Sequence, residues 1–533
     1  MSRKTFGSLL VIIFFSNPTF SQALGPLPMA WHSMGLNADG TVYTWGNNDT
    51  GQLGDGTTTT SSPYGKLTPV RVLKGEYSGT TYLGDNPSNR IIAVAGGRQF
   101  SLALAEDGTV FAWGLNNRGQ LGNNSTTDSS TPLKVLKGAY NGTSTLGDDA
   151  GNKIIAIAAD RFSSRALAAD GTVFSWGYNY YGELGDGSTT QRLTPIQVVK
   201  GAYTGTSYLG DDSGNKITTI AAGSQQSLAV AADGTVYAWG YGSNGNIGDG
   251  FTSHRYSPTK VKMGEYSGTT YLGDNSGNKM IAVTAGSGHA AALATDGTAY
   301  CWGANTNGQL GDNSNSQRTT PVHVLMGAYP GTSYLGDDAN KKITTLELGF
   351  YSSAALTSDG QVYTWGYNGW YNLGDGSNSN RWTPVKVLKG AYDGTSYLGD
   401  NSGNPITDIA FGTDFGLALG TNNKLYAWGT NSYGQLGDNS TTIRSTPIIV
   451  HGVDDESDLS LPVELTAFSA KVENGSITLD WTTASETENL GFILERRATH
   501  AEWLEIASYL THNSLVGQGS VTRQNKYSFI DDD

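Results

Sequence analysis

The feature that most constrains this chain is a strict internal repeat. The dipeptide Trp-Gly occurs seven times, and successive copies are 63 residues apart except for the first two, which are 68 apart. The tryptophans are Trp45, Trp113, Trp176, Trp239, Trp302, Trp365 and Trp428. A Thr-Pro or Ser-Pro pair follows each copy on the same period, so the extra residues lie between Trp45 and Pro69. A repeat of this length is one supersecondary unit that cannot bury its apolar face alone, so it predicts an array of units packed on one another.

Each unit has the pattern of short strands. In six copies an Asp-Gly pair begins six residues before the tryptophan and separates an apolar stretch, such as 227–231, from a β-rich one, such as 235–239. Asp-Gly suits a two-residue hairpin turn because that turn needs positive φ. The seventh copy has Asn423-Lys424 instead, and Asn tolerates the left-handed conformation. With the Thr-Pro strand and an Ile-rich strand added, we count three kinds of strand seven times and the Ile-rich kind six times.

Composition supports an all-β chain and excludes several classes of protein. Glycine supplies 72 of 533 residues, about twice the average share, while charged residues make up only 15%. Aromatic residues reach 10%, which is not the composition of a disordered chain. The formal net charge is −14 with no basic block, which argues against nucleic acid as a partner.

The repeat resembles the regulator of chromosome condensation repeat. The resemblance rests on GSQQSLAVAADGTVYAWG (223–240), on GQLGD as at Gly308–Asp312 and on the Thr-Pro pair, and it covers about residues 29–450. It implies an all-β, seven-bladed β-propeller with four strands in each blade. The unit departs from the family by six inserts such as Gly201–Lys216. One strand is missing from the count, and we expect it from about Leu24–Met29 or from the tail after Ile448, either of which would close the ring.

The N-terminus has the pattern of a secretory signal peptide, residues 1–23. Arg3 and Lys4 precede the apolar run 9–15, and Ser21-Gln22-Ala23 (21–23) is a small-x-small cleavage site. The alternative is a buried strand at the start of the domain. The signal peptide predicts a secreted, extracellular or cell-surface protein without a transmembrane segment. The single cysteine, Cys301, excludes a disulfide framework.

The remaining chain divides into a propeller, residues 24–455, a linker, 456–460, and a different segment, 461–533. The last segment loses the Trp-Gly period and alternates around an Asn-Gly turn. It resembles the fibronectin type III-like module near the C-terminus of many secreted Bacteroidota proteins, especially in TTASETENLGF (482–492). In that family further strands follow, so the resemblance implies a small, truncated β-sandwich.

No catalytic motif stands out, and we expect neither enzymatic activity nor a cofactor. The position thirteen residues before each tryptophan holds His32 and His289 but elsewhere Phe, Ser or Gln, which indicates a structural role. Cys301 occupies a position filled by small residues in the other copies, which is typical of a core residue. The inserts offer oxygen ligands such as Asp211 and Asp274 in a glycine-rich context. They suit either calcium or hairpin tips held by Asx turns.

The loop after Trp-Gly varies between copies and is the candidate partner-binding face. Equivalent loops of a propeller lie at one end, so their aromatic side chains would converge on one surface. The candidate partner-binding residues are Tyr178, Tyr180, Tyr181, Tyr241, Tyr367, Trp370 and Tyr433. Tyr and Trp are preferred anchors of interfaces and also stack on sugar rings. The alternative is that these rings pack on neighbouring blades.

A second candidate is a ring of basic residues, three residues before each Thr-Pro or Ser-Pro proline. Its members are Lys66, Arg192, Arg255, Arg318, Arg381 and Arg444, with Ser129 as the exception. In so acidic a chain these groups suit an anionic glycan or an acidic protein. The alternative, which we favour, is pairing with the aspartates six residues earlier, such as Asp186 and Asp249.

The sequence therefore predicts a secreted, non-catalytic scaffold that presents variable propeller loops to a protein or polysaccharide partner. A polysaccharide-active enzyme of the lyase type, using Tyr and Arg on the same face, is the alternative from another class. The family resemblance also implies inhibition of an enzyme as an alternative, because a secreted bacterial propeller of this family inhibits β-lactamase. Nucleotide exchange on a small GTPase is a further activity of the family, and the signal peptide argues against it.

Overall fold

The computed structural model describes residues 24, 27, 29–37 and 39–451 in full, and the backbone of strands Ile12–Phe15, Val463–Glu473, Ser476–Arg496, Leu504–Ser508, Val516–Val521 and Asn525–Asp531. Two compact units are present, residues 20–459 in one and residues 1–19 with 460–533 in the other. All regular structure in the described part of the chain is β-strand.

The larger unit is a seven-bladed β-propeller, as the sequence predicts. Six blades are four-stranded antiparallel sheets and one is three-stranded, and every sheet is a meander in chain order. The inner strands are Ile91–Gly96, Ile154–Ala159, Ile217–Gly223, Met280–Ala285, Ile343–Leu348 and Ile406–Phe411. The second strands are His32–Leu36, Phe100–Ala105, Ser163–Ala168, Gln226–Ala231, His289–Ala294, Ser352–Thr357 and Phe415–Gly420. The third strands are Val42–Asn47, Val110–Gly114, Val173–Gly177, Val236–Gly240, Ala299–Gly303, Val362–Gly366 and Leu425–Gly429. The outer strands are Gly65–Arg71, Ser129–Lys134, Arg192–Gln197, Arg255–Lys260, Arg318–His323, Arg381–Lys386 and Arg444–Ile449.

Burial explains why these segments form strands. All second and third strands are buried, whereas an outer strand such as Arg192–Gln197 is half-buried except at its proline. The Asp-Gly turns between second and third strands take positive φ at the glycine, +98° at Gly171 for example. In the seventh copy the equivalent pair is Asn422-Asn423, one residue earlier than the predicted Asn423-Lys424. Asn423 takes the place of the glycine with φ of +61°, so the turn is retained.

The tryptophans join each blade to the one before it. All seven are fully buried, and each indole nitrogen donates to a backbone carbonyl in the Gly-Gln-Leu-Gly loop of the preceding blade. Trp45 of the first blade donates to Gln435 O of the seventh at 2.9 Å, so the same contact closes the ring. Seven repeats therefore share one packing rule, which explains the strict period.

Leu24, Leu27 and residues 29–30 lie at the place of the missing inner strand. Leu27 and Ala30 are fully buried in the core that also holds residues of the seventh blade. Ala30 O accepts from the Thr413 amide of that blade at 3.2 Å. The segment supplies no ladder strand in the described part of the chain, and Pro26 and Pro28 lack the N–H groups that a ladder needs. Of the two predicted sources of the missing strand, the N-terminal segment is the one whose described residues lie at this place, and they form no strand.

The six inserts fold back on the propeller at the end opposite the loops after Trp-Gly. Each contains an isolated antiparallel bridge, such as Val199↔Tyr208, and a buried tyrosine, such as Tyr203. Tyr203 meets Tyr237 of the third strand edge to face, with ring centroids 5.6 Å apart. A Cβ on Gly210 would lie 1.7 Å from Gly171 O, so the insert packs directly on the Asp-Gly turn and requires glycine there.

The second unit is a single antiparallel sheet built around the long strand Ser476–Arg496. That strand pairs with Val463–Glu473, Leu504–Ser508, Val516–Val521 and Asn525–Asp531. The pair Glu473↔Ser476 flanks the predicted Asn-Gly turn, which itself lies outside the described residues. The segment Ile12–Phe15, which sequence analysis places in the signal peptide, pairs with residues 492–495.

Within the described residues there is no helix of the length and apolar character needed to cross a membrane.

Candidate functional site

One end of the propeller carries both the variable loops and a second set of turns. In an antiparallel meander the turn after the inner strand and the loop after the third strand lie at the same end of the blade. We call this end the loop face. Its outer part is formed by the loops after Trp-Gly, and its inner part by turns such as 97–99, 160–162 and 349–351 around the axis.

Four of the predicted aromatic residues come together on the third and fourth blades. Tyr178 stacks on Tyr180 at a centroid distance of 6.3 Å, and Tyr181 meets Tyr180 at 4.8 Å and Tyr241 at 5.0 Å, both edge to face. Phe162 extends this group inward, 6.1 Å from Tyr178. We call these five residues the aromatic ridge. Tyr180 is 63% exposed and the other tyrosines are half-buried, so the rings both pack on neighbouring blades and face solvent.

The other three predicted aromatics lie elsewhere on the loop face. Tyr367 contacts Tyr351 at 6.5 Å, and Trp370 in the same loop is 52% exposed. Tyr433 stacks on Trp31 at 5.8 Å with an interplanar angle of 16°. The seven residues therefore form separate groups around the ring rather than one continuous surface, because the blades that carry them are not all neighbours.

At the axis the loop face opens into a cavity of about 170 Å³, which we call the channel mouth. It is lined by Met29, Trp31, Arg98, Arg161, Phe350 and Thr413. These residues come from five different blades and all precede a second strand. The Arg98 guanidinium lies 4.0 Å from the centroid of Trp31, and Arg161 lies 5.0 Å from that of Phe162. The channel mouth is therefore continuous with the aromatic ridge.

Sequence reasoning missed the channel mouth, although a signal was present. The position fifteen residues before each tryptophan holds Arg98, Arg161, Phe350 and Thr413, and small residues in the other copies. That position varies as much as the loops after Trp-Gly do. It lies two residues before the position that holds His32 and His289, which is the position of this turn whose residues differ between copies as described above.

The basic ring at the start of the outer strands is neutralised by aspartates. Arg192, Arg255, Arg318, Arg381 and Arg444 each contact the aspartate six residues earlier, at 2.5–2.7 Å, and Lys66 contacts Asp55 at 3.3 Å. These carboxylates also accept hydrogen bonds from neighbouring Ser and Asn side chains. The favoured alternative, pairing, is what the structure contains, so the interpretation of these residues as a free anion-binding ring does not fit it.

Three other arginines of the loop face have no carboxylate within ion-pair distance in the described part of the chain. Arg98, Arg118 and Arg161 each lie over an aromatic ring, Arg118 over Tyr178 at 5.3 Å. Burial, followed by the charge of Arg161, lowers the pKa of Arg98, and the charges of Tyr433 and Asp49 act in the opposite direction. Two of these arginines, Arg98 and Arg161, line the channel mouth.

A group of charged residues is buried beneath the aromatic ridge. Asp160, Arg165 and Glu183 are each at most 2% exposed. Arg165 contacts Asp160 at 3.1 Å and donates to Ser227 Oγ and to Glu183 O. The third blade alone has these charges, because the corresponding positions hold Gly or Met for Asp160, an apolar residue for Arg165, and Gln or Asn for Glu183.

Replacing Glu183 with Gln is expected to stabilise the protein at pH 8 by about 2 kcal/mol and to have little effect at pH 5. Burial raises the pKa of Glu183 to about 7, with Asp160 adding to the effect. The protonated form is favoured by the fold, so its contribution is complete below pH 4.5 and is lost as pH rises through 7. Unfolding by denaturant at both pH values measures the effect. An equal effect at pH 5 and pH 8 would contradict it.

The histidines, the cysteine and the inserts have structural contacts. His32 and His289 are fully buried, and burial lowers their pKa values to about 3 and about 4. Cys301 is fully buried, which raises the pKa of its thiol. Asp211 accepts from the amides of Thr206, Ser207 and Tyr208. Asp212 accepts from the Gly214 amide at 2.9 Å, which is the Asx turn of the alternative. Within the described residues no group of three or more His, Cys, Asp or Glu side chains is placed to hold a metal ion.

Comparison with known proteins gives the class of protein. Residues 29–277 and 152–474 match the family model of the RCC1-like domain, and together they span most of the chain. The chain belongs to the RCC1-like domain family.

Among curated proteins, the chain is 28% identical over 427 residues to the ultraviolet-B receptor UVR8 of Arabidopsis thaliana, covering 80% of each chain. It is 27% identical over 429 residues to the E3 ubiquitin-protein ligase HERC2 of Homo sapiens, of which the match covers only 7%. Among solved structures, human WBSCR16 has a TM-score of 0.60 at 23% identity, covering 80% of this chain and 96% of that one. Prp20p of Saccharomyces cerevisiae has a TM-score of 0.58 at 19% identity, covering 84% and 90%. These two structures support the fold.

Proposed function

We propose that this protein is a secreted, non-catalytic interaction module whose loop face binds an acidic protein or polysaccharide. The observation that carries the proposal is the set Arg98, Arg118 and Arg161, each held over an aromatic ring and none with a carboxylate at ion-pair distance in the described part. The other loop-face arginines of the basic ring are already paired with aspartate. A partner carboxylate or sulfate would supply the missing counter-ions.

The aromatic ridge supports the same proposal. Tyr180 is 63% exposed, and its neighbours Tyr178 and Tyr181 hold it in place. Arg118 lies over Tyr178 in the same group. Exposed tyrosines with fixed geometry lose little conformational entropy on binding and present both an apolar face and a hydroxyl. Such a surface suits sugar rings as well as protein side chains.

The relatives support an interaction module in general terms. UVR8 is named as a receptor, and the study of Prp20p concerns its binding properties to Gsp1p and histones. Because HERC2 is matched over only 7% of its length, its ligase activity gives no support for a similar activity here.

Export is part of the proposal. The basic residues, apolar run and small-x-small site of residues 1–23 support a secretory leader. We also propose that 461–533 form a partial fibronectin type III-like module of the kind found in secreted Bacteroidota proteins, on the evidence of residues 482–492. In a chain without its leader, the edge of residues 492–495 that now pairs with Ile12–Phe15 would be free.

Binding to dextran sulfate, polygalacturonate, neutral dextran and an acidic carrier protein tests the proposal. The double variant Arg118→Ala/Arg161→Ala is expected to weaken binding to an acidic ligand at least tenfold, since each charge-assisted contact contributes about 1.5–3 kcal/mol. The charge-matched control is Lys153→Ala/Lys216→Ala, which removes two cations at the insert end. Equal weakening by both pairs would mean that net charge alone governs binding and would contradict the proposal.

The lyase alternative is distinguished in the same experiment. An interaction module retains the polysaccharide at its original length, whereas a lyase releases shorter chains with time. Size-exclusion chromatography of the ligand after incubation measures this. Shortened ligand that depends on Tyr180 or Arg161 would overturn the non-catalytic part of the proposal.

A further inference from the structure

The predicted first residue of the mature chain, Leu24, lies next to the position at which the inner strand of a blade would begin. In six blades the inner strand begins 22 residues before the tryptophan, at Ile91, Ile154, Ile217, Met280, Ile343 and Ile406. The corresponding position in the first blade is 23, the last residue of the predicted leader. Cleavage there would leave a chain that starts one residue inside the place of the missing inner strand.

Leu24 is seated in the propeller rather than at its surface. It is 7% exposed, and its backbone nitrogen lies 2.6 Å from Asp408 Oδ2 on the inner strand of the seventh blade. Leu27, further along, is fully buried, and a Cβ on Gly96 of the second blade would lie 2.6 Å from its Cδ2. The segment that begins at Leu24 therefore bridges the seventh and second blades.

The nitrogen of Leu24 contacts the carboxylate of Asp408, and the charge of Asp408 acts on a second inner-strand carboxyl group, Glu347. In the six blades with an inner strand, the position twenty residues before the tryptophan holds Ala, Thr or Asp408, and the position eighteen residues before it holds Ala, Thr or Glu347. Burial raises the pKa of Glu347 to about 8, with the charge of Asp408 adding to it, and burial raises that of Asp408 to about 6. Glu347 Oε2 is buried without a hydrogen-bond partner. In the described part of the chain no Lys or Arg forms an ion pair with either carboxylate.

We propose that Leu24 becomes the N-terminal residue and that its α-ammonium group is the buried cation for Asp408 and Glu347. The inference rests on the proposed export. In the processing step an endopeptidase adds water across the bond between residues 23 and 24. The hydroxyl goes to the carbonyl carbon of residue 23, the C–N bond breaks, and the Leu24 nitrogen leaves as an amine that takes up a proton.

This exchange replaces one amide N–H by a charged group with three N–H donors. The amide in the unprocessed chain can satisfy one oxygen of Asp408 but supplies no charge. A buried carboxylate pair without a cation is costly, whereas a hydrogen-bonded ion pair offsets much of that cost. Removal of the leader would therefore tighten the joint between the first and seventh blades, which is the joint that closes the ring.

A four-protein cycle tests the ion pair independently of export. The full chain starting at Leu24 (24–533) is compared with the same chain carrying one extra Gly before Leu24, each with Asp408 and with Asp408→Asn. The extra residue displaces the charge and leaves an amide in its place. We expect it to lower the folding equilibrium constant at least tenfold with Asp408 present and less than twofold in Asp408→Asn. The same reduction in both backgrounds would overturn the ion pair.

Amine reactivity gives a second readout that does not depend on the variants folding. In the native chain starting at Leu24, the α-amine is expected to react with an N-hydroxysuccinimide ester at least tenfold more slowly than the same amine in the unfolded chain. A rate equal to that of the unfolded chain would overturn the proposal. Mass spectrometry of the exported protein tests the processing step separately, because a start other than Leu24 overturns that step and leaves the cycle to decide the ion pair.

Discussion

Replacing Arg165 with Leu is expected to lower the free energy of unfolding by about 3 kcal/mol. Arg165 is fully buried and is the ion-pair partner of Asp160, at 3.1 Å. Its removal leaves a carboxylate that is 2% exposed without a cation, although the amides of Phe162 and Ser163 still donate to it. Urea unfolding of the full chain, followed by tryptophan fluorescence, measures the loss.

The repeat itself supplies the matched control for this variant. The other blades with an inner strand have Gly at the position of Asp160 and Leu or Ala at that of Arg165. The double variant Asp160→Gly/Arg165→Leu removes both charges together, so we expect it to lie within about 1 kcal/mol of the wild type. A double variant as unstable as Arg165→Leu alone would show that the loss comes from packing rather than from the unpaired carboxylate.

Replacing Trp45 with Ala is expected to cost about 4 kcal/mol. The side chain is fully buried in the core shared by the first and seventh blades, and its indole nitrogen donates to Gln435 O. The variant loses buried apolar surface, leaves a cavity and removes one contact that closes the ring. Thermal unfolding measures it, and Trp370→Ala is the control because Trp370 is 52% exposed. A change below about 1 kcal/mol at Trp45 would contradict the role of the tryptophans as joints between blades.

Much of the fold could be predicted because the repeat is an alignment within one chain. Positions that hold one residue in every copy, such as the tryptophan, are set by packing that recurs seven times. The pairing of Arg192 with Asp186 could also be predicted. In every copy that has such a pair, the aspartate lies six residues before the arginine on the same blade. A single sequence therefore predicts well the contacts between residues that are a fixed number of positions apart in each copy.

The channel mouth could not be predicted in the same way, because its residues meet only when the ring closes. Trp31 and Arg98 belong to neighbouring blades, and Phe350 comes from the sixth. Nothing in the spacing along the chain brings these residues together. The charges beneath the aromatic ridge are a different case, since Asp160 and Arg165 were visible as exceptions in otherwise uniform positions. Positions at which one copy departs from the repeat are therefore as informative about the structure as the positions that are constant.

The most direct test of the proposed function is site-specific crosslinking of the partner. A photoreactive aromatic residue is placed at Tyr180 on the loop face or at Tyr208 on an insert, which are 63% and 38% exposed at opposite ends of the blade. Each protein is illuminated with the acidic ligand that shows the highest affinity. Our account predicts a covalent adduct from position 180 and little from position 208. Adducts from position 208 alone would place the binding surface at the inserts and contradict it.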